Sequence, residues 1–467
     1  MQQLAKLRKA SEDNFAALCQ AEVVEAVAGL PNAESGLRQQ VRASLDLLGF
    51  GLLERETEVS LLLLAALAGE HLLLLGPPGT AKSELGRRLS TLTGGKYFER
   101  LLTRFSVPEE LFGPLSLAAL EEGLYVRETE GYLPTAEAAF IDEVFKANSA
   151  ILNALLTILN ERLFDNGSER KRVPLICLVG ASNEMPESEE LDALYDRFLL
   201  RRIVKPLSQD GVRKLAVLAA GGGTDAVFSL KPGSRPLGLD ELRACRRAST
   251  AAVALPEHVV DLLCDLRAFL ADRCEPPVYV SDRRFAKCVT LLQVAAHANG
   301  ADQVTEYDCL LLEFVLGQRP GDSDKVRTFV LDAIASDAGL LRAELSFLGA
   351  VGRTVRAFQG GADAEALQAE VSGLAELLAS RWRALGATLD GDFPLLRSSV
   401  WVGPAAAAAA TQVLGPAMRD DRAKVEALLK EVVLLLAIIE SEDVCEGALE
   451  QLLPRRLKQF KQGIQGA

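Results

Sequence analysis

Residues 72–83 read Leu72-Leu73-Leu74-Leu75-Gly76-Pro77-Pro78-Gly79-Thr80-Ala81-Lys82-Ser83, and this stretch decides the fold. A short apolar strand (Leu72 to Leu75) enters a Gly/Pro turn, and the turn enters a helix that opens on Lys82 and Ser83. This is the strand–loop–helix setting of a P-loop. The amides of Gly76 to Ala81, including those of Gly79 and Thr80, would point at phosphate oxygens, and the helix N-terminus adds partial positive charge. Lys82 would reach the β- and γ-phosphates, and the Ser83 hydroxyl would ligate Mg²⁺. Ala81 stands where most P-loops carry Gly. It is acceptable there if its φ is helical, because only φ > 0 would exclude it.

Strands and helices alternate from 71 to 205, the pattern of an α/β layer with a mainly parallel sheet. The expected strands are 72–75, 97–102, 138–142, 175–181 and 199–203. Ala138-Ala139-Phe140-Ile141-Asp142-Glu143 delivers two acids at a strand end beside the loop. Asp142 would hold Mg²⁺ through its water shell, and Glu143 would orient and deprotonate the attacking water. Two carboxylates at the end of a buried strand are costly without a cation or donor. The plainer reading is an acidic helix cap, which weakens sixty residues after a P-loop. Leu178-Val179-Gly180-Ala181-Ser182-Asn183 brings Asn183 to a third strand end, to bond the γ-phosphate or the lytic water. Arg197, in Leu194-Tyr195-Asp196-Arg197-Phe198, is the candidate arginine finger for a neighbour's γ-phosphate, with Arg201 and Arg202 as competitors. In Ser281-Asp282-Arg283-Arg284, Ser281 reads as a helix N-cap. Arg283 is the first choice to contact the γ-phosphate in cis from a lid, and Arg284 the second. His71 reads as a core or hinge histidine.

Composition narrows the class. Of 467 residues, 49% are hydrophobic and the net charge is −13, which fits a globular chain and disfavours a general phosphate-backbone binder. The eight Cys show no CxxC spacing and there are three His, so reduced, mostly buried thiols are expected rather than a zinc site or disulfide framework. The apolar runs Leu61 to Ala68 and Val432 to Ile439 are too short for a membrane span. The N-terminus has no signal-peptide h-region. A cytoplasmic location is expected, with chloroplast stroma or mitochondrial matrix as the alternative had a transit peptide been removed.

The expected organisation is an N-terminal helical segment joining the core (1–50), the αβα core (51–206), a Gly/Pro connector (207–238), a helical lid (239–318) and a mostly helical C-terminal domain (319–467) with a small insert near 390–418. Asn166-Gly167 marks a β-hairpin within 162–174. Strand-like pieces are expected at Gly123 to Arg127 and Gly131 to Pro134, and a lid helix at Thr305 to Leu316. Long helical runs are expected at 322–358, 363–385, 420–440 and 444–463.

With these residues assembled, the chain resembles the MoxR-type AAA+ ATPases, and more narrowly their RavA branch. The resemblance rests on Leu53-Glu54-Arg55-Glu56, on Gly69-Glu70-His71 leading into the P-loop, and on Thr103 to Pro114. It rests further on Gly131-Tyr132-Leu133-Pro134, Ile151 to Leu156, Asn160-Glu161-Arg162, Ala181-Ser182-Asn183-Glu184 and Leu191 to Arg197. Ala81 itself is typical of that branch. The resemblance implies a five-stranded αβα core with a helical lid, and a hexameric homo-oligomer binding ATP and Mg²⁺ at subunit interfaces. It implies a hairpin and a 113–135 insertion that face a ring pore. Chaperone-like remodelling of a protein client, with a von Willebrand factor A (VWA) domain partner, is the implied activity. A nucleic-acid motor and a metal-chelatase subunit are the alternatives, and nucleic acid is not the expected partner.

Overall fold

The computed structural model describes residues 2–20, 29–220, 235–336, 338–358, 364–441 and 446–465. The connector's Gly221-Gly222-Gly223 and Pro232-Gly233, and Cys445, lie outside the described residues. The chain forms two compact units. One comprises 31–330 with 398–404, and the other comprises 1–30, 331–397 and 405–467.

Helix α1 (Gln2–Gln20) belongs to the second unit. Of the segment 1–50 expected to join the core, residues 1–30 therefore belong elsewhere, while 31–50 lie in the P-loop unit. Leu7 is buried in that unit's cluster, with Phe15 and Leu18 packed against it.

In the P-loop unit, α2 (Gly36–Gly49) and α3 (Glu56–Ala68) precede β1 (Leu72–Leu75). Every side chain from Leu61 to Ala68 on α3 is buried, so this helix is apolar all round, as an internal helix must be. β1, α4 (Lys82–Thr93), β2 (Tyr97–Leu101), α5 (Pro108–Phe112), α6 (Leu117–Glu121), β3 (Ala138–Asp142), α7 (Ser149–Glu161), the hairpin β4 (Leu163–Asn166) and β5 (Glu169–Arg172), β6 (Cys177–Ser182), α8 (Glu189–Arg197) and β7 (Leu200–Ile203) complete the αβα layer. The five-stranded sheet runs β2-β3-β6-β1-β7, and every pairing is parallel. β1 and β6 are buried throughout, as central parallel strands covered on both faces are. Gly86 lets α4 approach β3 closely, since a Cβ there would lie 2.6 Å from the Phe140 ring.

The expected connector begins with α9 (Gln209–Ala219), and the expected lid holds α10 (Leu239–Ala252), α11 (Glu257–Asp272) and α12 (Asp282–Ala298), closed by a 3₁₀ segment at Asp308–Phe314. That segment replaces the helix expected at 305–316. Asp308 Oδ2 accepts from both the amide and the hydroxyl of Thr305, at 2.8 and 2.9 Å, and tightens the turn. Gly131 to Pro134 is likewise no strand. Pro134, which has no N–H for a ladder, sits in a 3₁₀ turn (Leu133–Thr135) around buried Leu133.

The second unit adds α13 (Asp322–Ala335), which crosses the unit boundary, then α14 (Ala338–Phe358), α15 (Ala364–Asp390), α16 (Pro394–Ser398), α17 (Pro404–Ile439), α18 (Glu446–Leu452) and α19 (Pro454–Gln465). The expected insert near 390–418 is not a separate element. Pro404 starts α17 at a position where its missing N–H costs nothing, and the alanine run extends it as the strongest helix former does. Residues 398–404 belong to the P-loop unit, where Trp401 is buried and its Nε1 donates to Ala295 O at 2.8 Å.

Candidate active site

Parallel strands bring their ends to common edges. The C-terminal edge carries the loop after β1, Asp142-Glu143 after β3 and Asn183 after β6. Gly76, at φ +152°, packs so tightly that a Cβ would meet Val204 O at 2.4 Å. Ala81 adopts φ +65°, ψ 24°, the left-handed region. This overturns the expectation of a helical φ: the Ala is strained where a Gly would be free. The preceding carbonyl is pinned from outside, because buried Arg55 donates from Nε to Thr80 O (3.2 Å) and from Nη2 to Lys205 O (3.0 Å). The role of Arg55 was not read from its sequence, where it stands in a charged helix start. The Thr80 hydroxyl closes the loop onto Pro77 O at 2.9 Å.

Lys82 is buried, and its Nζ donates to Gly76 O (2.6 Å), Pro77 O (2.8 Å) and Asn183 Oδ1 (3.1 Å). Burial lowers its pKa, and the nearby Asp142 and Glu143 carboxylates oppose that shift. Asn183 Nδ2 donates in turn to Glu143 Oε1 at 2.6 Å, and Lys146 lies 3.3 Å from Glu143 Oε2. Glu143 is itself left-handed at φ +54°, with its amide held by Asp142 Oδ1 at 3.0 Å. Lys82, Asn183 and Glu143 therefore form one hydrogen-bonded chain. Ser83, second residue of α4, and Asp142 supply hard oxygen donors, the chemistry that Mg²⁺ takes while keeping several waters. The donor set fits that ion.

The arginines lie elsewhere. A small cleft is lined by Asn160, Asp196, Arg197, Arg283, Arg284 and Lys287, and by no residue of 76–83. It sits at the N-terminal edge of the sheet. Lys287 pairs at 2.6 Å with Glu70, just before β1, and Leu199 of the same cleft immediately precedes β7. Roughly 13 Å of strand separates the two edges. Arg283 donates to Asn160 Oδ1 at the end of α7. The expectation that Arg283 serves the same nucleotide as Lys82 is thereby corrected, because α12 packs against α3 and α10, which fixes its N-terminus at this edge. Arg197 pairs loosely with Asp196 (3.4 Å), and its Nε is buried with no hydrogen-bond partner among the described residues. The competitors for the finger are committed to the fold. Arg201 is buried against backbone carbonyls and the Tyr195 ring, and Arg202 pairs with Glu58 at 2.9 Å. Arg284 is also buried, which removes it as a phosphate contact.

His71 is fully buried. Its Nδ1 accepts from Leu178 N at 3.0 Å, and its Nε2 lies against both Leu159 O (3.1 Å) and Arg162 Nη1. Burial first, then Arg162, holds its pKa well below the ordinary value.

The family model for the MoxR domain in the MoxR-vWA-beta-propeller ternary systems matches residues 39–232, and that for the AAA lid domain matches 258–330. Two uncharacterized proteins of Methanocaldococcus jannaschii are similar to the chain. They are 42% and 41% identical over 56% and 59% of this chain and 66% and 70% of their own lengths, so the chain spans about two thirds of each. Protein MoxR of Paracoccus denitrificans is 29% identical over 45% of this chain and 64% of that protein. The crystal structure of a proposed ATPase from Cytophaga hutchinsonii matches at 17% identity with a TM-score of 0.51, over 63% of this chain and 94% of that one, a likeness of fold.

Proposed function

Because the chain belongs to the MoxR-type AAA+ ATPases, we propose that it hydrolyses ATP with Mg²⁺ in a hexameric ring and uses the cycle to remodel a protein client. The observation that carries this reading is the division of the site between the two edges of one sheet. The C-terminal edge holds Lys82, Asp142, Glu143 and Asn183, and the N-terminal edge holds Arg197 and Arg283. Neither edge is a whole catalytic site. Stacked head to tail, one copy's arginines complete the next copy's phosphate loop, a heterologous contact that closes into a ring.

In this assignment the loop amides and Lys82 hold the β- and γ-phosphates. Ser83 and Asp142 hold Mg²⁺, which neutralises phosphate charge when bound. Asn183 orients the lytic water toward Glu143 Oε1, and Glu143 takes its proton as it attacks. Arg197 then meets the charge on the neighbour's γ-phosphate, with Arg283 beside it.

Kinship with the RavA branch is part of the proposal and rests on the sequence blocks quoted above. The VWA-domain partner is supported by the description of the matching family model. No described helix is long and apolar enough to cross a membrane. A cytoplasmic site of action fits the seven described cysteines, none of them in a disulfide.

Glu143→Gln tests the chemistry. It should bind ATP with wild-type affinity and lose about 10²-fold or more in turnover, the contribution of a positioned base. Near-normal turnover would remove Glu143 from its role.

A further inference from the structure

α8 ends at Arg197, and the chain turns through Phe198 and Leu199 into β7. Two buried guanidiniums hold that turn by its carbonyls. Arg201 donates from Nε to Phe198 O (3.2 Å) and from Nη2 to Tyr195 O (3.0 Å). Arg284, 5% exposed, donates from Nη1 to Asp196 O (3.2 Å) and from Nη2 to Phe198 O and Leu199 O (3.3 and 3.0 Å). The same two side chains reach the last lid segment. Arg284 bonds Val315 O from Nε and Nη2 (2.9 and 2.7 Å), and Arg201 bonds Gly317 O from Nη1 (3.0 Å). The Tyr195 hydroxyl adds Gln318 O at 3.0 Å. The Asp196 carboxylate is shared: Oδ1 lies 2.9 Å from Arg284 and 3.7 Å from Arg201, while Oδ2 meets Arg197 at 3.4 Å.

Neighbouring buried cations are a poor way to gain stability, since apolar residues of the same volume often serve as well or better. They are a good way to fix geometry, because a guanidinium presents five donors in a rigid fork and can serve two elements at once. We propose that Arg284 and Arg201 are positioning residues that weld the turn 195–199 to the lid segment 315–318. Arg197 then moves with the lid of its own subunit, and each lid sets the geometry of hydrolysis next door. The inference rests on Arg197 acting as the finger in trans.

Arg284→Lys keeps the charge and loses the fork. Its kcat should fall about 10-fold or more, as a finger displaced by an ångström would cause, with ATP affinity unchanged. In an Arg197→Ala background the same substitution should change kcat by less than about 2-fold, because residues acting through one another are not additive. Hydrogen exchange should rise in 195–199 and 315–318 together. An equal loss in both backgrounds, or loosening of only one segment, would overturn the weld. An unaffected rate in Arg197→Ala alone would overturn the finger reading and the catalytic half of this inference, leaving the exchange result to decide the weld. Should Arg284→Lys fail to fold, Tyr195→Phe removes only the bond to Gln318 and should give a smaller loss with the same non-additivity.

Discussion

Ala81 and Glu143 hold left-handed backbone at the two points where loop and strand border the proposed phosphate site. Each such residue costs on the order of 1–3 kcal/mol and persists only where its surroundings over-determine it. Around Ala81 the determinants are Arg55 on Thr80 O and the start of α4. Ala81→Gly should therefore raise the unfolding free energy by about 1 kcal/mol, read by denaturant titration, with ATP binding retained. A loss of stability would mean that the left-handed conformation is not a burden. Lys82, Asp142, Glu143 and Asn183 were legible as candidates because each closes a strand or opens a helix in a recognisable local pattern. The φ of Ala81 was not legible, because it depends on Arg55, 26 residues earlier in the chain and recruited by folding.

The strands and the hairpin were readable from local signals: apolar runs for buried parallel strands, Asn-Gly for the turn. What those elements clasp was not. Buried Asn166 donates from Nδ2 to Arg127 O (3.0 Å) and accepts from Arg127 N (2.7 Å), which joins the hairpin to the insertion carrying Tyr125, 71% exposed. Asn166→Ala should loosen both segments together, by about 1–3 kcal/mol in local opening energy as measured by amide exchange. Exchange confined to the hairpin would refute the clasp. His71 ties the start of β1 to α7 and β6. Its folded pKa is depressed, so the unfolded chain binds the extra proton first. Its contribution is fully present above the ordinary value of 6.5 and is lost as pH falls below it. The difference in unfolding free energy between wild type and His71→Gln should shrink from pH 7.5 toward 5. Taking that difference cancels buried Asp308, whose pKa near 6 gives the opposite slope. A difference independent of pH would contradict the buried neutral imidazole.

At the scale of the molecule, the assignment of each arginine to an edge was the least legible feature. Arg283, Arg284, Arg201 and Arg202 look alike in sequence, and only the folded packing separates Arg283 at the cleft from Arg284 and Arg201 on backbone carbonyls and Arg202 on Glu58. On the proposed reading, that packing makes hydrolysis a property of two neighbouring copies. The most direct measurement is ATPase rate per chain against protein concentration, for wild type and Arg197→Ala. A ring with shared sites should give a rate that climbs with concentration to a plateau. In the variant it should fall by about 10³-fold or more while ATP still binds. A rate independent of concentration and untouched by Arg197→Ala would contradict the shared-site ring.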